Sequence, residues 1–142
     1  MPRMQRLTSM LVVAYAVAGL TGCDGGTGPS AMPQVVEGNI VLPAISLTAV
    51  SFQIDRQGTL SSVVNWNNFF NDIDSGLLQG TCTPTQVQAD EAGCRVEDAL
   101  GFDNTTRRPS VFDALVTPGR HTLLLYNFGF SADTCFYRLE IN

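Results

Sequence analysis

From Val35 onward, apolar and polar residues alternate in short runs, the period-two signature of half-buried strands. In Ser46–Ile54, Val50, Phe52 and Ile54 fall on one face, and Ala49, Ser51 and Gln53 on the other. Residues 55–58 (Asp-Arg-Gln-Gly) have turn chemistry, and residues 59–66 then place Leu60, Val64 and Trp66 together. Residues 65–74, rich in Asn and Asp, read as a loop, and residues 73–78 as a short strand. Residues 80–93 form a polar excursion carrying Cys82 and, just beyond, Cys94; residues 101–109 read as a second loop. Residues 111–116 read as a strand, and Thr117-Pro118-Gly119 is a strong turn. Beyond it, Leu124, Tyr126 and Phe128 share one face, and Leu123 and Leu125 the other. The final run sets Cys135, Tyr137, Leu139 and Ile141 on one side. The last two strands read as a hairpin. Seven or eight short strands with almost no helical period predict an all-β fold, an antiparallel β-sandwich of jelly-roll type. No internal repeat is visible.

The N-terminal residues break the pattern. Arg3 and Arg6 precede an apolar run over residues 10–20. That length matches the ~7–15 residues of a signal-peptide core, whereas a spanning helix needs ~20. Leu20-Thr21-Gly22-Cys23 closes the run and resembles the bacterial lipobox: an aliphatic residue, two small ones, then cysteine. The resemblance implies cleavage before Cys23 and a lipid on its thiol, which would anchor the protein to a membrane of the cell envelope. An uncleaved anchor or an ordinary signal peptide is the alternative. The expected organisation is a signal peptide over 1–22, a tether over 23–34 and a domain over 35–142. Three glycines and two prolines in the tether bury nothing, and its coil reach is about 15–20 Å. In enteric bacteria, an aspartate after the lipidated cysteine, here Asp24, implies retention at the inner membrane; the outer membrane is the other choice.

Several motifs resemble the bacterial pre-peptidase C-terminal domain: Val63-Val64-Asn65-Trp66, Asp72-Ile73-Asp74, the run from Thr117-Pro118-Gly119 through Leu123-Leu124-Leu125-Tyr126, and Tyr137-Arg138-Leu139-Glu140-Ile141. The resemblance spans residues 46–142. It implies a β-sandwich of secreted or surface proteins, an appended non-catalytic module acting in export, adhesion or binding. His121 stands where that family has tyrosine, and Ser75-Gly76 is expected to break the strand after the aspartates.

Charge narrows the partners. All eight basic residues are arginines. After cleavage six remain against thirteen acidic residues, a formal charge of −7. Such a surface argues against nucleic acid, which needs a basic footprint, and against adhesion to anionic lipid. In an oxidising compartment, Cys82 and Cys94 are expected to form a disulfide, with either of them bridging to Cys135 as the rival.

Candidate chemistry is sparse. Asp72 and Asp74, with Asn67, Asn68 and Asn71, offer oxygen ligands to a hard cation such as calcium; the competing reading is a turn in which these side chains bond their own backbone. Trp66, Phe69 and Phe70 beside this loop offer a sugar-stacking platform, or else core and an end cap. His121 follows a turn and reads as a surface strand residue, and no Gly-x-Ser-x-Gly elbow accompanies it to make a hydrolase. Asp90-Glu91 and Glu97-Asp98 read as solvated surface. The function expected is a non-catalytic envelope binding module for carbohydrate or an envelope protein, without cofactor; a calcium-dependent adhesion module, or a small hydrolase, is the alternative.

Overall fold

The computed structural model describes residues 32–142, so the signal segment, Cys23 and nearly all of the tether lie outside the described residues. Eight strands follow in order: β1 (Gln34–Leu42), β2 (Ser46–Ile54), β3 (Gly58–Trp66), β4 (Ile73–Gln79), β5 (Gly101–Asp103), β6 (Ser110–Val116), β7 (Gly119–Asn127) and β8 (Asp133–Ile141). They pair antiparallel into two four-stranded sheets, ordered β1-β8-β3-β6 and β2-β7-β4-β5. The alternation seen in the sequence points inward as expected. Phe52, Ile54, Leu60, Val64, Trp66, Leu123, Leu125, Leu139 and Ile141 meet in one core between the sheets. Each fully buried Leu or Ile there contributes about 1.5–3 kcal/mol. Ser75 on β4 and Ser110 on β6 join the two sheets through a buried 2.7 Å hydroxyl–hydroxyl hydrogen bond.

A second, smaller core lies outside the sandwich. Residues 80–99 leave β4 and fold back over the outer face of its sheet. Within them a short helix, α1 (Pro84–Gln88), opens on a reciprocal cap between Thr83 and Gln86. Cys82 and Cys94 are joined by a disulfide, and Val87, Cys82 and Cys94 cover Leu47, Leu78 and Leu124. Thr122 on β7 ties this cover down, donating to the Gly80 carbonyl (2.8 Å) and accepting from the Cys82 amide (3.0 Å). Central strand β7 is therefore apolar on both faces because both are covered.

Four sequence expectations change. β7 and β8 are not a hairpin: they belong to different sheets, and residues 128–132 carry the chain across the gap between them. β4 is not broken at Ser75-Gly76: Ser75 is bonded across the core, and Gly76 leaves room for Phe102, whose ring a Cβ would meet at 2.5 Å. Residues 101–109 are not all loop, since residues 101–103 form β5 beside β4. His121 is not at the surface. It is fully buried, because β7 is central and position 121 shares the inward face with Leu123 and Leu125.

Candidate functional site: the loop end of the sandwich

Four connections gather at one end: residues 43–45 (β1–β2), 67–72 (β3–β4), 104–109 (β5–β6) and 128–132 (β7–β8). The chain enters β1 at Gln34 at the opposite end, where Gln34 bonds residues 53 and 55. The strand registers dictate this arrangement, with Leu42 opposite Asp133 and Gln34 opposite Ile141.

Asp133, at the start of β8, organises the loop end. Its carboxylate accepts from the backbone amides of Asn67 (3.0 Å) and Asn68 (3.0 Å) and from the Asn71 side-chain amide (3.0 Å). Asn71 also donates to the Ser131 carbonyl and accepts from the Ser131 hydroxyl, each at 3.2 Å, while the buried Trp66 indole donates to the Asn71 carbonyl at 3.0 Å. Asn127 continues the lacing: its amide donates to the carbonyls of Pro43 (2.9 Å) and Ser131 (3.0 Å), and its oxygen accepts from Gly129 N–H. The Ile45 amide donates to the Gly129 carbonyl, and the Phe128 amide to the Asp72 carbonyl. Gly129 is required where it stands, since a Cβ there would collide with the Asn71 side-chain oxygen. Ile45 has φ of +48°, a left-handed conformation that a β-branched residue adopts only under strain.

The proposed cation ligands are thus not brought to one point. Asn71 spends its amide on Asp133 and Ser131, and Asn67 contributes only backbone. Asp72 and Asp74 each keep one buried carboxylate oxygen without a partner. Burial first, then the neighbouring Asp72 and Asp103 carboxylates, push the Asp74 carboxyl up to about 6. On Asp103 burial acts in the same direction, but hydrogen bonds from Thr105, Val111 and Ser110 prevail and hold it below the usual carboxylate range. Among the described residues, no three acidic, His or Cys side chains converge as a metal would require.

Trp66 belongs to the core, while Phe69 and Phe70 cap nothing: both are exposed, edge-to-face at 6.2 Å. Ile45, Phe128 and Phe130 are exposed beside them. The sequence reading missed these three and Asp133. Aromatic residues inside a Gly-Ser turn (Phe128-Gly129-Phe130-Ser131) were the available signal, because turns seldom spend apolar side chains without cause. Next to this end, an open groove of about 420 Å³ is lined by Val41, Asn67, Asn68, Ala132, Asp133 and Thr134. It shares Asn67 and Thr134 with a smaller one of about 180 Å³, where half-exposed Phe136 lies between Asn39 and Asn65.

Among the described residues, the catalytic candidates stand apart from one another. His121 has its Nδ1 3.2 Å from the Gly119 carbonyl and a buried Nε2 without a partner. Asp90, Glu91, Glu97 and Asp98 are solvent-exposed, and Arg95 pairs with Asp90 and Glu97. Cys135 is a free, buried thiol on the inner face of β8.

No protein-family model matches the chain, and no curated protein does. Similar solved structures include a periplasmic inhibitor of g-type lysozyme, PliG, from Aeromonas hydrophila (10% identity, 82% of this chain and 92% of that one, TM-score 0.50). A mitogen from Yersinia pseudotuberculosis (12%, 78% and 88%, TM-score 0.49) is another. A third is the pre-peptidase C-terminal domain of the collagenase from Bacillus anthracis (13%, 76% and 87%, TM-score 0.46). At these identities the likeness is one of fold.

Proposed function

We propose that the protein is a non-catalytic binding module of the bacterial cell envelope, carried on a lipid at Cys23, with the loop end of its sandwich as the contact surface. The observation that carries this reading is a contrast within that end. The backbone amides of Ile45, Asn67, Asn68, Phe70, Asn71, Phe128 and Gly129 are bonded within the protein, yet the side chains these loops present, Phe69, Phe70 and Phe130 foremost, are large, apolar and exposed. Monomeric proteins seldom expose such clusters unless something docks there.

The test is a photo-cross-linking residue placed at Phe70 in the full chain in living bacteria, with the same residue at Leu115, an exposed apolar position on β6 toward the other end, as control. An adduct of any kind at position 70 with none at 115 supports the contact surface; equal labelling, or none, overturns it. The anchor rests on Leu20-Thr21-Gly22-Cys23, and Asp24 favours the inner membrane. A mature N-terminus beginning at a diacylglyceryl-cysteine by mass spectrometry is the expected result; a product with an unmodified Cys23 thiol refutes it.

A second reading, sugar binding along the adjoining groove, is favoured by Phe136 between Asn39 and Asn65, a ring face with amides on either side. Phe136→Ala would then abolish retention on envelope polysaccharide columns while Phe70→Ser leaves it unchanged.

A further inference from the structure

We infer that the occupant of the loop end is the interfacial zone of a phospholipid bilayer of low surface charge, which deepens, and rests on, the contact-surface reading above. The exposed apolar residues sit on three different loops: Ile45 at 68% exposure, Phe69 at 79%, Phe70 at 92%, Phe128 at 52% and Phe130 at 92%. At ~200 Å² for a fully exposed aromatic they present roughly 700 Å² of apolar surface in all, spread over the three loops. They stand on separate loops at one end of the sandwich; Phe128 lies stacked on Tyr126 at 5.5 Å, while Ile45, Phe69, Phe70 and Phe130 make contact as projecting points. Points suit a fluid surface that closes around each ring; a protein partner would have to supply a pocket for each one.

Charge and hydrogen bonding agree. Of the four loops at this end, residues 43–45 and 128–132 carry no charge, 67–72 carries only the half-buried Asp72, whose carbonyl is bonded to Phe128, and 104–109 carries Arg107 and Arg108, the latter donating to the Asn65 side-chain oxygen and the Asn67 carbonyl, so the end has little net charge. The remaining polar side chains are Asn, Ser and Thr, suited to headgroups. With an excess of acidic residues over the whole chain, an anionic surface would repel the domain, so the complementary bilayer is zwitterionic. The usual penalty for pushing loops toward lipid is unpaired backbone; here the amides of Ile45, Asn67, Asn68, Phe70, Asn71, Phe128 and Gly129 are all bonded within the protein. The strained φ at Ile45 has the same sense: glycine or asparagine would relax that position, and a bulky apolar residue stands there, uncovered.

The experiment mixes the full chain carrying Phe70→Trp, or Leu115→Trp as control, with excess vesicles of phosphatidylethanolamine and phosphatidylcholine bearing brominated acyl chains. Native Trp66 emission, measured in the unsubstituted chain, is subtracted. The expected result is a roughly two-fold loss of emission at position 70 and none at 115, as befits an indole seated ~5–10 Å into the headgroup–acyl boundary. Replacing Phe69 and Phe130 by Ser in the Phe70→Trp chain should abolish the quenching. No quenching at position 70 overturns the bilayer; if position 70 still forms an adduct with a protein in cells, the contact surface stands and only its occupant was wrong.

Discussion

Asp74 sits on the outward side of β4, 9% exposed, with one carboxylate oxygen unpartnered, so its ionised form is the destabilising one. Its folded pKa, about 6, lies above the ordinary 3.8, so between those values the folded protein binds a proton that the unfolded chain releases. Stability from this group is full below pH ~4, falls as pH rises toward ~6 and stays reduced above. Asp74→Asn should remove that slope and raise stability at pH 7.5 by about 1–2 kcal/mol, with little gain at pH 4, in urea unfolding at the two pH values. Cys135 gives a second outcome at the same scale. Burial first, and then Asp133, push its thiol up to about 12, so iodoacetamide at pH 8 should leave it unlabelled in the native protein and label it once in urea, read by mass spectrometry. The sequence made Asp72 and Asp74 conspicuous as a pair. It did not reveal the burial of Asp74, which comes from the place of β4 between β7 and β5. Nor did it reveal Asp133, whose partners Asn67, Asn68 and Asn71 lie more than sixty residues away.

Strands were the most legible elements, because alternation at β2, β3, β6 and β8 is a local pattern that one buried face imposes, while β7 announced itself as a short apolar run behind a turn. Helix α1 carried its own local signal, Thr83-Pro84-Thr85-Gln86, a capping box with proline in the first turn, and was passed over because five residues have no helical period to see. The crossing from β7 to β8 was illegible for a different reason. Five residues suit a hairpin and also bridge two sheets ~10 Å apart, and only the tertiary pairing of β8 with β1 and β3 decides. The Cys82–Cys94 bridge was legible, but its purpose was not: it holds the cover over Leu78 and Leu124. Replacing both cysteines by alanine should cost about 3 kcal/mol in urea unfolding, and should increase dye binding to apolar surface by uncovering the second core.

At the scale of the whole sandwich, the two ends have different characters: the start of β1 and the end of β8 at one, laced aromatic loops at the other. Ile45, Phe70 and Phe130 are brought together by strand order alone, which is why no stretch of sequence announced them. Because Phe69 and Phe70 contribute almost nothing to the core, changing both to Ser should leave the unfolding free energy in urea within about 0.5 kcal/mol of the parent while abolishing the contact proposed for this end. Among the described strands β1 is hydrogen-bonded to β8 alone, so that Gln34 waits for Ile141, and β3 too is short of one partner until β8 is made. A chain that stops at residue 132 cannot close the β1-β8-β3-β6 sheet and should show no cooperative transition by circular dichroism, whereas the chain through residue 142 should show one.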